Sequence, residues 1–267
     1  MNAATVYSPG TCGELVQGML GGRHFLASCP IDHFAAVTVE LTRDGQVLAP
    51  AAAPKAETAL RAAMRFFGVD GLGVRLTITS SLPRGKGLGS STADVAGAIY
   101  ALAAALERPI APRDIAHLAL SVEPTNSSLF PNLALFDHRD GTMREDLGAP
   151  PSAEILILDC GGEVDTLVYN SVDRSTILRQ LEPSAAQALS LVREGIRRKN
   201  LGLLGQGATI SALAHQQILP KRPLRTVIAL GLALGAVGVS VAHSGTVIGV
   251  LFPAGVKYRK EIAVCFR

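Results

Sequence analysis

The stretch SSLPRGKGLGSSTADVAGAIYALAAAL, residues 80–106, restricts the fold of this chain more than any other. Before it, GVRLTITSSLP alternates apolar and polar residues with β-branched character, which predicts a strand ended by Pro83. After it, an unbroken Ala-rich run predicts a helix from about residue 91 to 106. Between them lies a loop carrying Gly85, Gly87 and Gly89 followed by Ser90 and Ser91. A helix start presents unpaired N–H groups and the positive end of the helix dipole, so this strand–loop–helix unit predicts a phosphate cradle. Two familiar cradles fail on spacing. A dinucleotide fingerprint needs a glycine three positions beyond Gly87, and a Walker loop needs Ser or Thr directly after its Lys, where this chain has Gly87 after Lys86. What remains is a glycine turn with tandem serines, whose hydroxyls can cap the helix or ligate a magnesium ion bridging phosphates.

The rest of the chain predicts further α+β elements. ATVYSPGTCGELVQGML and HFLASCPIDHFAAVTVEL read as short strands broken by Pro/Gly turns. ETALRAAMRFFG reads as a helix closed by Gly68, and PRDIAHLALSVEP as an amphipathic helix stopped by Pro124. LFPNLALFDHRDG predicts loop or short strand, and APPSAEILILDCGG a Pro-rich join into a buried strand. Helices follow at about 182–198, 202–217 and 222–234, then the strand pair GVSVAHSGTVIGVLF. A boundary near residue 150 divides the chain into residues 1–150 and 151–267, α+β on both sides, with no internal repeat.

Composition closes off several function classes. With 4% aromatic residues, no Trp and a net charge of +3, the chain offers neither stacking platforms nor a basic stripe for nucleic acid. TVIALGLALGAVGVSVA, at 226–242, is uncharged but short for a bilayer span and broken by glycines, so it predicts a buried helix followed by a buried strand, with no membrane partner. Cys12, Cys29, Cys160 and Cys265 form no CxxC pair and no zinc spacing, which predicts reduced thiols. MNAATVYSPGTCGE shows no basic segment followed by an apolar one, so a cytoplasmic location is expected. DHRD, at 137–140, is too contiguous to converge on one ion and reads as a charged turn.

The loop resembles the second motif of the GHMP kinase superfamily, P-x-x-x-G-L-G-S-S-x-A, with Pro83, Gly87, Leu88, Gly89, Ser90, Ser91 and Ala93 in register. SPGTCGELVQG supplies the first motif through Pro9, Gly10, Gly13 and Glu14, and VAHSGTVIG stands at the third with one glycine, Gly245. The resemblance implies an N-terminal half with a left-handed βαβ crossover, a ferredoxin-like C-terminal half, and ATP with Mg2+ between them. It implies that Pro83, Gly85, Lys86, Gly87, Leu88, Gly89, Ser90, Ser91 and Thr92 hold nucleotide, that Ser90, Ser91 and Glu123 hold the metal, and that Asn126, Lys86 and Ser91 serve catalysis. Substrate contacts are expected from Glu14, Asp32, His33, Thr125, Asn126, Ser127, His243 and Ser244, with Ser128 a further candidate.

Within the superfamily, PGTCGELVQG, SCPID, KGLGSSTAD, EPTNSSLFPNLALFDHRDG and VAHSGTVIG are most similar to the branch that phosphorylates L-threonine. That likeness implies conversion of ATP and L-threonine to ADP and L-threonine O-3-phosphate, for cobalamin nucleotide-loop assembly. Homoserine or another amino alcohol is the alternative acceptor, a non-catalytic ATP- or amino-acid-binding relative is the alternative class, and a homodimer is left open. Many relatives carry Asp where this chain has Asn126, which cannot accept a proton at neutral pH. The hydroxyl proton then goes to the γ-phosphate or water with Asn126 orienting the hydroxyl, or to Asp137, or the chain is impaired.

Overall fold

A computed structural model describes residues 2–255. The chain opens with two long antiparallel strands, β1 (Ala3–Leu20) and β2 (Arg23–Thr42), joined by Gly21-Gly22. Both glycines have positive φ, 56° and 79°, the backbone that a tight two-residue hairpin requires. The expectation of short strands separated by Pro/Gly turns is therefore corrected. The pairing is continuous but shifts register between Pro9 and Thr11, Thr11 and Glu14, and Glu14 and Val16. Proline and glycine are absorbed as bulges within one hairpin rather than ending its strands.

A brief β3 (Val47–Leu48) leads through α1 (Pro54–Phe67) to β4 (Gly73–Ser80), which runs parallel to β3 and antiparallel to β2. The helix ends at Gly68 with φ 66°, the left-handed cap read in the sequence. Helices α2 (Ser90–Ala105) and α3 (Pro112–Leu120) follow, then β5 (Leu133–Phe136) and β6 (Arg144–Gly148). The later part holds β7 (Ala153–Asp159), α4 (Thr166–Ser171), α5 (Ser175–Gln180), α6 (Glu182–Arg197), α7 (Leu201–His215), α8 (Leu224–Ala233), β8 (Gly238–Val241) and β9 (Val247–Pro253). The short β3, β6, α4 and α5 are the elements without a clear sequence signal. Where KYRKEIAVCFR, including Cys265, goes lies outside the described residues.

One sheet runs in the order β3-β4-β2-β1-β8-β9-β7, with β5 on β2 and β6 on β5. Its two parts meet where β1 pairs with β8, at Glu14 opposite Val241. Helices α1, α2 and α3 pack with β2 and β4 around Val37, Val39, Leu60, Ile99, Leu102 and Ile115. Small residues allow close approach: a Cβ on Gly97 of α2 would lie 2.5 Å from Val37 Cγ2. Helices α6 and α7 close a second core with Leu15, Phe25 and Leu251, and α8 a third with Val239, Ile248 and Val250. The apolar 226–242 stretch divides into α8 and β8 as expected, and no helix among the described residues is long and apolar enough to cross a membrane. Cys12 and Cys29 are buried free thiols, and burial pushes the Cys29 thiol up to about 12, so it stays protonated.

Candidate active site

The glycine loop is held from behind. Leu88 O accepts from Thr11 N at 2.9 Å, Lys86 O from Thr246 N at 2.8 Å and Gly85 O from Val164 N at 3.1 Å. With these carbonyls engaged, the loop's N–H groups are what it has left to offer an anion. Gly85, Gly87 and Gly89 all have positive φ, 72°, 84° and 71°. A Cβ on Gly87 would strike Ala242 Cβ, and one on Gly89 would lie 2.8 Å from Thr11 Oγ1 and 3.1 Å from Asn126 Nδ2. Gly245, the lone glycine of the third motif, packs directly on Gly87, where no side chain fits. Gly89 begins α2 without a side-chain cap, so the helix start is left bare for a ligand.

Beside the loop, the segment after α3 delivers Glu123, Thr125 and Asn126. Glu123 is 5% exposed and accepts from Ser91 Oγ and, at 2.5 Å, from Lys55 Nζ at the start of α1. Thr125 Oγ1 lies 3.0 Å from Thr92 Oγ1. Asn126 Oδ1 accepts from Ser128 N at 3.0 Å and Ser128 Oγ at 2.6 Å, capping the turn Ser127–Leu129. Its acceptor is thereby committed, and Nδ2, beside Gly89, is what it can present to a reacting group. Asp94, one turn into α2, accepts from Arg84 Nη2 at 3.1 Å through Oδ2, while its buried Oδ1 has no hydrogen-bond partner. Burial raises the Asp94 pKa despite Arg84.

The far end of the same space is lined by Glu14, His138 and His243. Glu14 sits at the β1 bulges, 5% exposed, its Oε2 without a hydrogen-bond partner, and burial pushes its carboxyl up to about 7. His138 is 3% exposed, neither ring nitrogen has a partner, and burial holds its imidazole down to about 3. Its ring centre lies 4.7 Å from that of His243. His243 Nδ1 is 2.6 Å from Gln17 Oε1. Because that oxygen can only accept, Nδ1 carries the proton; burial lowers the ring's pKa, so His243 is neutral and its Nε2 is an acceptor.

Loop and chamber line one cavity of about 550 Å3. Of the residues expected from sequence, it gathers Gly85, Gly87, Leu88, Gly89, Ser90, Ser91, Thr92, Glu123, Thr125, Asn126, Glu14, His243 and Ser244. Others are placed elsewhere. Pro83 is exposed ahead of the loop, and Asp32 and His33 are exposed on β2. Ser127 faces Ser28, each N–H donating to the other's hydroxyl at 2.9 and 3.1 Å. Lys86 turns from the cavity to Asp159, at 3.1 Å, and to Gly162 O, at 2.7 Å. Asp137 accepts from the N–H of Arg139, Asp140 and Thr142 and from the Thr142 hydroxyl, so it closes a turn and does not line the cavity.

Sequence reading missed Thr11, Lys55, Arg84, Asp94 and His138, all of which line the cavity. Two left a signal. Lys55 opens α1, the end where the dipole disfavours a cation, and Asp94 is a lone charge in an apolar helix. His138, inside DHRD, left none.

A glycine turn at an uncapped helix start, a hydroxyl and carboxylate pair beside it and a polar end to the same cavity define a phosphotransferase for small molecules. The chain belongs to the GHMP kinase family: residues 55–131 match the GHMP kinases N terminal domain and residues 192–260 the GHMP kinases C terminal domain. Like its relatives it is a kinase with an alcohol acceptor. It is 33% identical over 250 residues, 94% of this chain and 83% of the relative, to an L-threonine kinase of Salmonella typhimurium strain LT2. It is 34% identical over 260 residues, 93% of this chain and 86% of the relative, to an L-threonine kinase of Citrobacter freundii. Among solved structures, a Methanococcus jannaschii mevalonate kinase superposes with TM-score 0.72 at 14% identity, covering 98% of this chain and 94% of that one. A Cytophaga hutchinsonii homoserine kinase superposes with TM-score 0.68 at 19% identity, covering 99% and 88%. These likenesses share the GHMP fold.

The residues present fit the groups that such a kinase uses. The loop is shaped so that backbone alone meets a phosphate, and Ser91 with Glu123 supplies the hydroxyl and carboxylate oxygens that a hard divalent cation prefers.

Proposed function

We propose that this chain transfers the γ-phosphoryl group of ATP to the side-chain hydroxyl of L-threonine, giving L-threonine O-3-phosphate and ADP. The observation that carries the reading is the identity of about one third with two L-threonine kinases over nearly the whole chain. The site is compatible with it. The loop from Gly85 to Ser91 holds the triphosphate by backbone N–H groups, as in-line phosphoryl transfer demands positioning and charge neutralisation more than covalent help. Ser91 and Glu123 would hold Mg2+, which when bound would supply charge neutralisation for the transfer. Lys55 and Arg84 add positive charge at the cavity wall. Asn126, its Oδ1 already bonded, donates through Nδ2 to orient the acceptor hydroxyl, and the proton leaves with the transferred phosphoryl group or to water. A loose transition state, with late proton loss, tolerates the lack of a strong base there.

The product is suited to supply the aminopropanol phosphate of the cobalamin nucleotide loop, and we include that role in the proposal. We also retain a division of the chain near residue 150. The test is product identification with MgATP and a panel of L-threonine, L-serine and L-homoserine. Phosphothreonine as the main product supports the reading; preference for homoserine overturns the substrate. Absence of turnover with every acceptor leaves a nucleotide-binding protein instead.

A further inference from the structure

We propose that Glu14, His243 and His138 form a clamp for the charged head of the acceptor: Glu14 and His243 Nε2 take its α-ammonium, and His138 donates to its α-carboxylate. The inference rests on the reading of this protein as an amino-acid kinase and says how an amino acid is told from a plain alcohol.

The argument starts from polar atoms that folding has buried without using. Glu14 Oε2, both ring nitrogens of His138 and Nε2 of His243 have no hydrogen-bond partner. All three side chains face one cavity, and Glu14 and His138 are 5% and 3% exposed. Burying a carboxylate unpaired is unfavourable unless a ligand brings the complement. Ser28 supplies the side-chain hydrogen bond to Glu14, and its own hydroxyl also accepts from Ser127 N at 3.1 Å. A hydroxyl gives direction but no charge, so the missing complement is a cation.

The surroundings define which cation. Among the described residues no group of three or more His, Cys, Asp and Glu side chains is arranged to hold a metal ion. The second acceptor at this end is a neutral imidazole nitrogen, fixed as an acceptor by the Gln17 bond to Nδ1, while Gln17 Nε2 donates to Val241 O at 3.2 Å. A carboxylate oxygen and a neutral ring nitrogen suit N–H donors, hence an ammonium.

His138 completes the set, since a neutral imidazole always carries one N–H and both of its nitrogens are unspoken for. Arg139, next in the chain, has a buried Nε without a hydrogen-bond partner and brings positive charge near His138 and His243. The clamp is also tied to the reaction end, because Thr125 N donates to His138 O at 3.1 Å, one residue from Asn126. A ligand held by its head in the chamber has a fixed route for its hydroxyl toward Asn126 and Ser91.

The test is calorimetric binding to the full chain with a non-hydrolysable ATP analogue and Mg2+, using L-threonine, 3-hydroxybutyrate, which lacks the ammonium, and 1-amino-2-propanol, which lacks the carboxylate. L-threonine is expected to bind at least about 100-fold tighter than either, because a site built for a polar group strongly rejects ligands lacking it. Glu14→Gln is expected to weaken threonine about 30-fold or more, to bring 3-hydroxybutyrate within about threefold of it, and to leave the Kd of the ATP analogue unchanged. His138→Phe is expected to erase the preference for threonine over 1-amino-2-propanol. In turnover the loss falls on KM. Equal wild-type binding of threonine and 3-hydroxybutyrate overturns the clamp whatever the variants do. So does a Glu14→Gln protein that loses kcat but keeps its discrimination, which is the behaviour of a base. If homoserine is the true acceptor, the function reading fails separately, and the clamp is judged on homoserine against 4-hydroxybutyrate. Should Glu14→Gln not fold, Glu14→Asp, which keeps the charge but withdraws it, is expected to raise the threonine Kd without altering the ATP-analogue Kd; unchanged threonine affinity overturns the proposal.

Discussion

At the loop end of the cavity the chain offers backbone, held in place by bonds to its carbonyls. At the chamber end it offers side-chain atoms that lack hydrogen-bond partners: Glu14 Oε2, both ring nitrogens of His138 and His243 Nε2. The loop is a finished object before ligand arrives: three left-handed glycines, Gly245 packed on Gly87, and Glu123 satisfied by Ser91 and Lys55. The chamber is incomplete, with buried polar atoms of Glu14, His138 and His243 left without hydrogen-bond partners. Shared chemistry sits at the first end, since every member of such a family handles the same triphosphate. The chemistry that separates one acceptor from another sits at the second. This contrast also separates what a substitution does: at the loop it breaks geometry, and at the chamber it changes which ligand, or which protonation state, is favoured.

The largest effect is expected at Glu123. Glu123→Ala removes the carboxylate beside Ser91 and leaves Lys55 without its partner, and kcat/KM should fall about 10³-fold, roughly 4 kcal/mol of transition-state stabilisation. A loss below tenfold in a steady-state assay would remove Glu123 from the metal-binding role. Next is Gly87→Val, which requires a side chain at φ 84° and collides with Ala242 and Gly245. It should lower stability by about 2–4 kcal/mol and abolish measurable nucleotide binding in a denaturation and ligand-shift experiment. Native affinity for ATP in that variant would show that the loop does not work as a backbone cradle.

The chamber predicts an effect of opposite sign. The Glu14 carboxyl is raised to about 7 by burial, so the folded, ligand-free protein keeps a proton that the unfolded chain has already lost. Stability contributed by that proton is present below the ordinary carboxyl pKa and disappears as pH rises toward 7. Glu14→Gln should therefore be more stable than the native protein at pH 8 by about 1–3 kcal/mol, and nearly equal to it at pH 4. Urea melts at the two pH values measure this, and a variant less stable at pH 8 would mean that the carboxylate is already satisfied. Smallest is Lys86→Met. The Lys86–Asp159 pair is partly exposed, 23% and 42% for the two side chains, and such pairs contribute at most about 1 kcal/mol. The KM for ATP should change less than about threefold; a rise above tenfold would return Lys86 to the phosphates.

Sequence reading reached the glycine loop, Glu14 and His243, and missed Lys55, Arg84, Asp94 and His138, for a physical reason. A backbone cradle must be written locally, as glycines at set intervals between a strand and a helix, and Gly85, Gly87, Gly89, Ser90 and Ser91 stand together in the chain. The chamber is assembled across the sheet from residues far apart: Glu14 on β1, His138 after β5 and His243 in the turn between β8 and β9. Glu14 and His243 were reachable through their motifs, but DHRD looks like a charged turn, and Asp137 and Arg139 around His138 do make one. The fold shows the same division. Helices with clear periodicity and the Gly68 cap were legible, whereas Pro9 and Gly13 read as strand breaks. They turned out to be bulge positions in one long hairpin, because pairing with β2 spans them. Asp32 and His33 sit near the same hairpin but on its exposed part, and period alone could not tell which strand residues the bulges redirect into the cavity.

The most direct measurement of the central claim is the identity of the phosphorylated product when the protein meets MgATP and equal concentrations of L-threonine, L-serine and L-homoserine. Mass spectrometry and phosphorus NMR should show L-threonine O-3-phosphate and ADP in equal amounts, with threonine favoured over each competitor by about tenfold or more. Homoserine phosphate as the main product, or ADP released without any phosphorylated amino acid, would contradict the account.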